Sequence, residues 1–552
     1  MKQSEKYRPM YFMPPEEHTD WVKQDRLTKA PVWCSVDLRD GNQALIAPMS
    51  LDEKLAYFEF LLGIGFKEIE IGFPAASETE YAFTRALIEG NRIPDDVTIQ
   101  VLTQSRAHII EKTFAAVKGA PRVIVHLYNS TSYAQRQQVF KMTEKEIIAI
   151  AEEGARMFNT YAGENPDTRF AFEYSPESFT GTEMEFSRDI CNAVIDIWKP
   201  SAARPVIINL PATVENSMPH VYAQQIAYMS RNLRSRENVV ISLHPHNDRG
   251  TGVAAAELGL LAGAQRVEGT IMGNGERTGN VDIVTLALNL YTHGVNPQLD
   301  LSDMPRIVRA FEEVTGLPVG PRHPYAGELV FAAFSGSHQD AIAKGMQFRK
   351  EGGHNLWSVP YLPIDPEDVN RRYETSVIRI NSQSGKGGIA LILEDKFGYI
   401  LPKELKQEVG YFIKDISDRE HKELSPDDIL RAFSAAYVNV AAPLVFESAE
   451  YRRENDRTRA DVSVALNGAR RALSGTGNGS LDAVSHALRG EVEFSFADYA
   501  QHALESDSDA RAAAYVKITD KAGKPVWGVG VHNDITTASV LALFSAVNRL
   551  GL

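Results

Sequence analysis

The chain has 552 residues, too many for a single hydrophobic core, so about two to four domains are expected. Its 43% hydrophobic and 24% charged residues describe an ordinary soluble globular protein. A net charge of -14 argues against a nucleic-acid partner or an anionic membrane, and any anionic substrate must be met by local positive charge.

The opening stretch, residues 1–10, is polar with no apolar run behind it, so no signal peptide is visible. Nowhere do about eighteen apolar residues follow one another, as a membrane span requires. Cys34 and Cys191 each sit in an apolar segment and read as buried, reduced thiols of a cytoplasmic protein.

After an N-terminal extension (residues 1–30), a unit repeats: a β-branched apolar strand, a polar loop, an amphipathic helix. Strands are predicted over 31–38, 67–74, 98–103, 122–128, 169–174, 205–210, 238–243 and 266–272. Helices are predicted over 51–63, 78–89, 105–117, 143–161, 183–198, 218–232 and 252–262, with a closing one near 282–293. Near-continuous apolar strands alternating with helices indicate parallel pairing with both faces covered. A closed (β/α)8 TIM barrel over 31–298 accounts for both count and length, and no Gly-x-Gly-x-x-Gly follows the first strand to favour an open doubly wound sheet.

Beyond the barrel the alternation stops. Residues 299–365 read as a helical connector, with helical patterns over 305–315 and 327–345, and with Ser335-Gly336-Ser337-His338-Gln339-Asp340 in a polar, small-residue setting. Residues 366–438 read as a small mixed connector, with strands at 375–381 and 389–393 and a helix at 402–414. Ser384-Gly385-Lys386-Gly387-Gly388 lacks the first glycine and the Ser or Thr of a phosphate loop, so it reads as a glycine-rich turn. Residues 439–552 read as an α+β domain for binding or dimerisation. Its strands fall at 444–451, 461–466, 491–496, 512–519 and 526–531, with helices at 481–488 and 536–550 and a turn at Gly475-Thr476-Gly477-Asn478-Gly479. Two β-rich halves, each ending in a helix, suggest an internal duplication.

In a TIM barrel the chemistry sits at the C-terminal ends of the strands. Those ends supply Arg39 and Asp40, Glu70, Gln104, His126 and Asn129, Ser175 and Glu177, Asn209 and Thr213, His244 and His246, Asn274 and Glu276. His244 and His246 lie two apart on one strand end, so both imidazoles can aim at one point. Closure brings the first and seventh strands near one another with the eighth between, so Asp40 can complete a metal site with open positions. Oxygen and nitrogen ligands without thiolate suit Mg, Mn or Zn. Such a cation could hold a 2-oxoacid and polarise its ketone. Arg39 could stabilise the alkoxide that develops, or form a salt bridge to a carboxylate such as Glu70. Thr213 offers a hydroxyl to a substrate carboxylate. The glycine-rich run Gly273-Asn274-Gly275-Glu276 allows close backbone approach to a cofactor or to the metal's surroundings, or is a tight loop entering a helix.

Asp37-Leu38-Arg39-Asp40-Gly41-Asn42-Gln43, Leu243-His244-Pro245-His246-Asn247-Asp248-Arg249-Gly250 and Gly273-Asn274-Gly275-Glu276-Arg277-Thr278-Gly279-Asn280 resemble the signatures of the 2-isopropylmalate synthase family. Pro360-Tyr361-Leu362-Pro363-Ile364-Asp365-Pro366, residues 381–388 and the tail 528–549 resemble its long-chain form with a C-terminal leucine-regulatory domain. The resemblance implies a metal-dependent condensation of acetyl-CoA with 3-methyl-2-oxobutanoate, the first committed step of leucine biosynthesis, inhibited by leucine. It implies a divalent metal, magnesium first and manganese or zinc as alternatives, held by Asp40, His244 and His246 with Asn280 close by. It further implies Arg39 as the catalytic arginine and His126, Ser175, Glu177 and Thr213 around the 2-oxoacid. His338 and Tyr361 would act from the partner subunit of a domain-swapped homodimer. Both Glu177 and His338 qualify as the base, with the resemblance favouring His338. Leucine would bind near Gly477, Asn478 and Gly479. A lyase running the related cleavage, a synthase for another 2-oxoacid, an iron oxygenase and a catalytically dead sensor are the rival readings.

Overall fold

The computed structural model describes residues 3–333, 335–352, 356–373, 386–420, 424–505 and 510–550. The chain divides into two compact units, Met1–Val330 with Glu367–Arg371, and Phe331–Pro366 with Arg372–Leu552.

In the first unit β1 (Val32–Ser35), β2 (Glu68–Gly72), β3 (Thr98–Gln104), β4 (Arg122–Ser130), β5 (Arg169–Glu177), β6 (Val206–Ala212), β7 (Val239–Pro245) and β8 (Arg266–Gly269) form a closed barrel in chain order. All neighbouring pairs are parallel, and β1 returns to β8 with Cys34 opposite Glu268. The expected TIM barrel is therefore the fold. Around it run α1 (Leu51–Ile64), α2 (Glu78–Glu89), α3 (Ala107–Val117), α4 (Glu144–Glu164), α5 (Met184–Trp198), α6 (Pro219–Asn232), α7 (Gly252–Leu261) and α8 (Ile283–Thr292). Local chemistry sets the helix starts: Ser50 with Glu53 and Thr143 with Glu146 form reciprocal capping boxes at α1 and α4. Outward strand residues such as Phe172 pack on Phe158 and Trp198 of the surrounding helices, all three buried.

Several element ends differ from the sequence reading. The first strand stops at Ser35, and Asp37–Gly41 forms one wide π-type turn, a geometry that often marks functional sites. Asp37 anchors that turn by accepting the Ile271 backbone N–H at 3.0 Å. The last barrel strand ends at Gly269 because Ile271–Gly273 turns back as a short 3-10 helix, with Met272 at a left-handed φ of 56°. Conversely, β4, β5 and β6 run two or more residues past their expected ends, which carries Glu177 and Ala212 up to the rim. Beyond the barrel, α9 (Met304–Thr315) matches its predicted span.

The second unit contains α10 (Gly336–Gly352), α11 (Lys386–Phe397), α12 (Lys403–Glu420) and α13 (Pro426–Tyr437), followed by two three-stranded antiparallel sheets. The expected strand at 389–393 is helix α11, since Ile389, Ile392 and Leu393 fall three and four apart and share one buried face. The expected strand at 375–381 and most of the 381–388 motif lie outside the described residues.

The first sheet is β9 (Leu444–Glu454), β10 (Arg457–Leu466) and β11 (Ala469–Gly477), followed by α14 (Ser480–Leu488). The second is β12 (Ser495–Ala503), β13 (Ala512–Thr519) and β14 (Pro525–His532), followed by α15 (Ile535–Asn548). Three strands and a helix thus occur twice, in line with an internal duplication. No strand is expected just before the turn at 475–479, yet β11 fills Ala469–Gly477 and takes in the first half of that turn, and the strand expected at 491–496 forms later, at Ser495–Ala503. Both sheets and both helices share one core that includes Val462, Val464, Val484, Val516, Leu543 and Phe544. The other face of the second sheet, through Ala513, Tyr515, Trp527 and Val529, packs with α11, α12 and α13.

The third strand of each repeat carries Gly-x-Gly against its helix. A Cβ on Gly475 would lie 2.3 Å from the Ala483 carbonyl, and one on Gly530 would lie 2.0 Å from the Ala538 carbonyl. Neither obstacle is a flexible side chain, so the backbone itself would have to move. Gly530→Ala is expected to destabilise the second sheet by about 1–3 kcal/mol, as overpacking does. Hydrogen-exchange mass spectrometry would read this as faster exchange across α15.

Candidate active site at the barrel mouth

One cavity of about 280 Å³ at the C-terminal end of the barrel is lined by Arg39, Asp40, His126, Ser175, Glu177, Thr213, His244, His246 and Glu276, together with Asn209 and Arg277. Strand ends from around the barrel thus meet at one cavity, whereas Glu70, Gln104, Asn129 and Asn274, also read from strand ends, are not among its lining residues. Leu102, Phe73, Tyr128 and Pro211 give the same cavity an apolar wall. Asn129, also read from a strand end, is buried and accepts the Tyr174 hydroxyl at 2.8 Å.

At one side of the cavity, ligand atoms of Asp40, His244 and His246 lie within 4.8 Å of one another. His244 Nε2 is 3.2 Å from Asp40 Oδ2, and His246 Nε2 is 3.6 Å from the same oxygen. Among the described residues the buried Asn280 Oδ1 and His246 Nδ1 have no hydrogen-bond partner, and Asn280 pairs with His246 in an isolated backbone bridge. The Asp40 carboxylate and the two imidazoles form an oxygen-and-nitrogen donor set that fits a divalent cation.

Burial alone would raise the Asp40 carboxyl, but the Arg39 guanidinium and His244 overcome it and hold the group well below the usual carboxylate range. For His244, burial opposes protonation, yet Asp40 and Glu268 on its two nitrogens push it up to about 9. His246 goes the other way, down to about 4, through burial and the neighbouring His244 charge.

Arg39 is fixed twice, by Glu70 Oε2 at 2.5 Å from Nε and by Asp40 Oδ1 at 2.9 Å from Nη1. Both readings of Arg39 thus meet in one geometry: the salt bridge to Glu70 exists, and the remaining N–H groups of a cavity-lining guanidinium stay available. Glu70 also accepts from His126 Nδ1 at 3.0 Å, leaving His126 Nε2 to accept from the Ser175 hydroxyl at 2.7 Å. Thr213 Oγ1 accepts the Ser178 backbone N–H at 2.9 Å, which frees its own proton for a ligand. Glu177 is hydrogen-bonded to the Ser130 hydroxyl.

The glycine-rich loop folds on itself. Asn274 donates to the Gly41 carbonyl at 3.0 Å, and Asn280 donates its backbone N–H to Gly273 O at 3.0 Å and its side chain to Asn274 O at 3.0 Å. Gly279, at φ 95°, has space for no Cβ, which would meet Gly273 O at 1.9 Å. The loop thereby ties Asn280 and the Asp40 turn together, while Glu276 and Arg277 face the cavity. Arg277, unremarked in the sequence reading, joins the loops after β6 and β7 through the Thr213 carbonyl at 2.5 Å and Asp248 Oδ1 at 2.7 Å.

The sequence reading names none of a set of polar and charged groups inside the barrel: Gln100, Glu173, Arg266 and Glu268, all fully or almost fully buried. His126, Glu173 and Glu268 also lie close enough for a common ion. Glu268 is already filled by donors, however, and Arg266 stands 3.5 Å from Glu173, so a second cation is disfavoured there. Burial and the Glu268 charge instead push Glu173 well up, toward its neutral form.

His338 and Tyr361 belong to the second unit, where their rings stack at 3.9 Å between centroids. Gly477, Asn478 and Gly479 end β11 and lead into α14, with the Asn478 N–H held by Asp482.

Compared with known proteins, residues 30–310 match the HMGL-like family, residues 328–394 the alpha-isopropylmalate synthase post-catalytic domain-like family, and residues 423–551 the LeuA allosteric (dimerisation) domain. The chain is 57% identical to the 2-isopropylmalate synthase of Desulfitobacterium hafniense, over 100% of its own length and 99% of the relative's. It is 55% identical to that of Helicobacter hepaticus, covering 99% of each. Against that of Pseudomonas entomophila the identity is 49%, over 99% of this chain and 97% of the relative. The chain belongs to the 2-isopropylmalate synthase family. It is an enzyme with a TIM-barrel catalytic region and a C-terminal allosteric-type domain, and its HMGL-like region is of a divalent-metal-dependent kind. Among the described residues no helix is long and apolar enough to cross a membrane.

The opposite shifts of the two histidines make a prediction. A divalent ion seated between Asp40, His244 and His246 displaces the proton that His244 holds up to about 9, whereas His246 and Asp40 have none to lose at neutral pH. Metal affinity is therefore expected to weaken as pH falls below about 9. Calorimetric titration in buffers of different ionisation enthalpy at neutral pH should show about one proton released per ion. Release of none, or of about two, contradicts this assignment.

Proposed function

We propose that the chain catalyses the condensation of acetyl-CoA with 3-methyl-2-oxobutanoate and hydrolysis of the thioester, giving 2-isopropylmalate and CoA. The observation that carries this reading is the convergence of Asp40, His244 and His246 on a cavity that Arg39 and the apolar residues Leu102, Phe73 and Pro211 also line. Similarity along the full length to 2-isopropylmalate synthases supports the same choice of reaction.

In this reading Asp40, His244, His246 and Asn280 hold a divalent cation, magnesium first and manganese or zinc as alternatives. When bound, the cation supplies Lewis-acid polarisation of the oxoacid ketone. Arg39, immobilised by Glu70 and Asp40, points its remaining N–H groups at the oxygen where negative charge develops, so little reorganisation is needed. Thr213 donates to the substrate carboxylate, and His126 with Ser175 lines the same pocket. Leu102, Phe73, Tyr128 and Pro211 suit a branched apolar tail. A base removes a proton from the acetyl methyl group, the resulting enolate carbon bonds to the ketone carbon, and water cleaves the thioester. His338, stacked on Tyr361 and contributed by the partner subunit of a domain-swapped dimer, is the base we favour over Glu177. Gly273, Asn274, Gly275 and Glu276 approach acetyl-CoA. Leucine acts at the C-terminal domain around Gly477–Gly479.

Free-thiol release from acetyl-CoA is expected with 3-methyl-2-oxobutanoate above other 2-oxoacids, to cease with chelator, to return with magnesium and to slow with leucine. His338→Ala is expected to lower kcat by about 10²–10⁴-fold with oxoacid and metal affinity preserved. If Glu177→Gln shows that profile instead, Glu177 is the base; if no oxoacid releases thiol, the proposed reaction is wrong.

A further inference from the structure

We propose that Glu268, on β8 beneath the site, is a positioning residue that fixes which nitrogen His244 presents to the cation. The inference rests on the reading above, in which Asp40, His244 and His246 hold a divalent metal.

Glu268 faces into the barrel and is 0% exposed. Its Oε1 accepts from Arg266 Nη1 at 2.9 Å and Gln100 Nε2 at 2.8 Å. Its Oε2 accepts from His244 Nδ1 at 2.7 Å and Asn209 Nδ2 at 3.1 Å. A carboxylate offers only lone pairs, so the shortest of these contacts requires a proton on His244 Nδ1. The neutral ring then has its lone pair on Nε2, 3.2 Å from Asp40 Oδ2.

The alternative tautomer would close the site. With its proton on Nε2, His244 would donate to Asp40, and the two proposed ligands would satisfy each other. Glu268 disfavours that state, because its Oε2 would face the Nδ1 lone pair inside a dry interior. Its own position is rigid. Arg266, which holds Oε1, is itself held by Glu68 at 2.6 Å, by Ser242 at 2.8 Å and by Gln100 Oε1 at 2.7 Å. Among the described residues His246 has no counterpart to this arrangement, since its buried Nδ1 finds no partner there. Of the two histidines, only His244 is pre-set.

The test measures Mn²⁺ binding by the full-length chain, alongside the metal dependence of turnover. Glu268→Asp keeps the charge facing Arg266 but withdraws the carboxylate from His244, and Glu268→Gln keeps the length but removes the charge. Both are expected to weaken Mn²⁺ binding by about 10–100-fold, the usual effect of losing an outer partner of a ligating histidine. Turnover should recover at saturating metal, because the reacting atoms are untouched. A merely structural role would instead lower melting temperature and leave the affinity of the folded fraction unchanged. Folded variants that bind Mn²⁺ within about twofold of wild type overturn the inference. So does finding the proton on His244 Nε2 in nitrogen-15 spectra of the magnesium-loaded wild-type chain, a measurement that needs no variant. Asp40→Asn separates the two levels: if it too leaves Mn²⁺ affinity intact, the metal-site reading fails and not only the role of Glu268.

Discussion

Everything at the mouth of this barrel depends on a buried ion network being electrically satisfied below it. Barrel interiors are usually filled by branched apolar side chains. Here Glu70, Gln100, Glu173, Asn209, Arg266 and Glu268 occupy that volume, at little or no exposure. Such groups are expensive to desolvate, and the expense is recovered only when each charge has an opposite neighbour and filled hydrogen bonds. Arg39 and Arg266 are matched by Glu70 and Glu268, and the raised His244 by Asp40. The fourth carboxyl, Glu173, stands 3.5 Å from Arg266, and burial and the Glu268 charge push it toward its neutral form. Exchanging one proton for a doubly charged ion, as proposed, makes the mouth one charge more positive, which favours an anionic 2-oxoacid despite a net charge of -14 on the chain.

Much of this was legible from residue order alone. Apolar β-branched runs alternating with helices gave the barrel, and the barrel gave a rim on which Asp40, His244 and His246 had to be neighbours. The supporting groups were hidden for a physical reason. In Arg266-Val267-Glu268-Gly269 the alternation reads as one apolar residue between two polar ones, which on an ordinary sheet would place the charges in solvent. Closure reverses the assignment: Val267 packs against the helices and the charges face the centre. Nothing in the spacing of one strand announces that reversal; only the partners on β3, β6 and β7 do.

The misread elements have similar origins. Strand β11 contains Arg470, Arg471, Ser474, Gly475, Thr476 and Gly477, a composition that favours a turn. Its glycines are there because α14 lies against the strand with no space for a Cβ. The same device recurs at Gly528 and Gly530 under α15, so small residues mark the seam between helix and sheet in both repeats. Helix α11 was missed for the converse reason. Ile389 and Ile392 favour strand by type, whereas their spacing with Leu393 favours helix, and packing against α12 and α13 decided it.

Rigidity is distributed unevenly, and the distribution matches the chemistry being asked of each part. Asp40, His244 and Arg39 are each held by at least two directed interactions from strands or from the wide turn after β1, which suits groups that must meet developing charge without rearranging. Arg39 cannot be replaced by lysine on these terms, because a single ammonium cannot engage Glu70 and Asp40 and still present a planar fork to a ligand. The Glu177 and Thr213 side chains, by contrast, have one hydrogen bond each among the described residues, through Ser130 and Ser178, and retain the freedom to adjust to a substrate. His338 is held by a ring stack rather than by a charged partner. The groups that fix charge are anchored by charge, and the group proposed to move a proton is not.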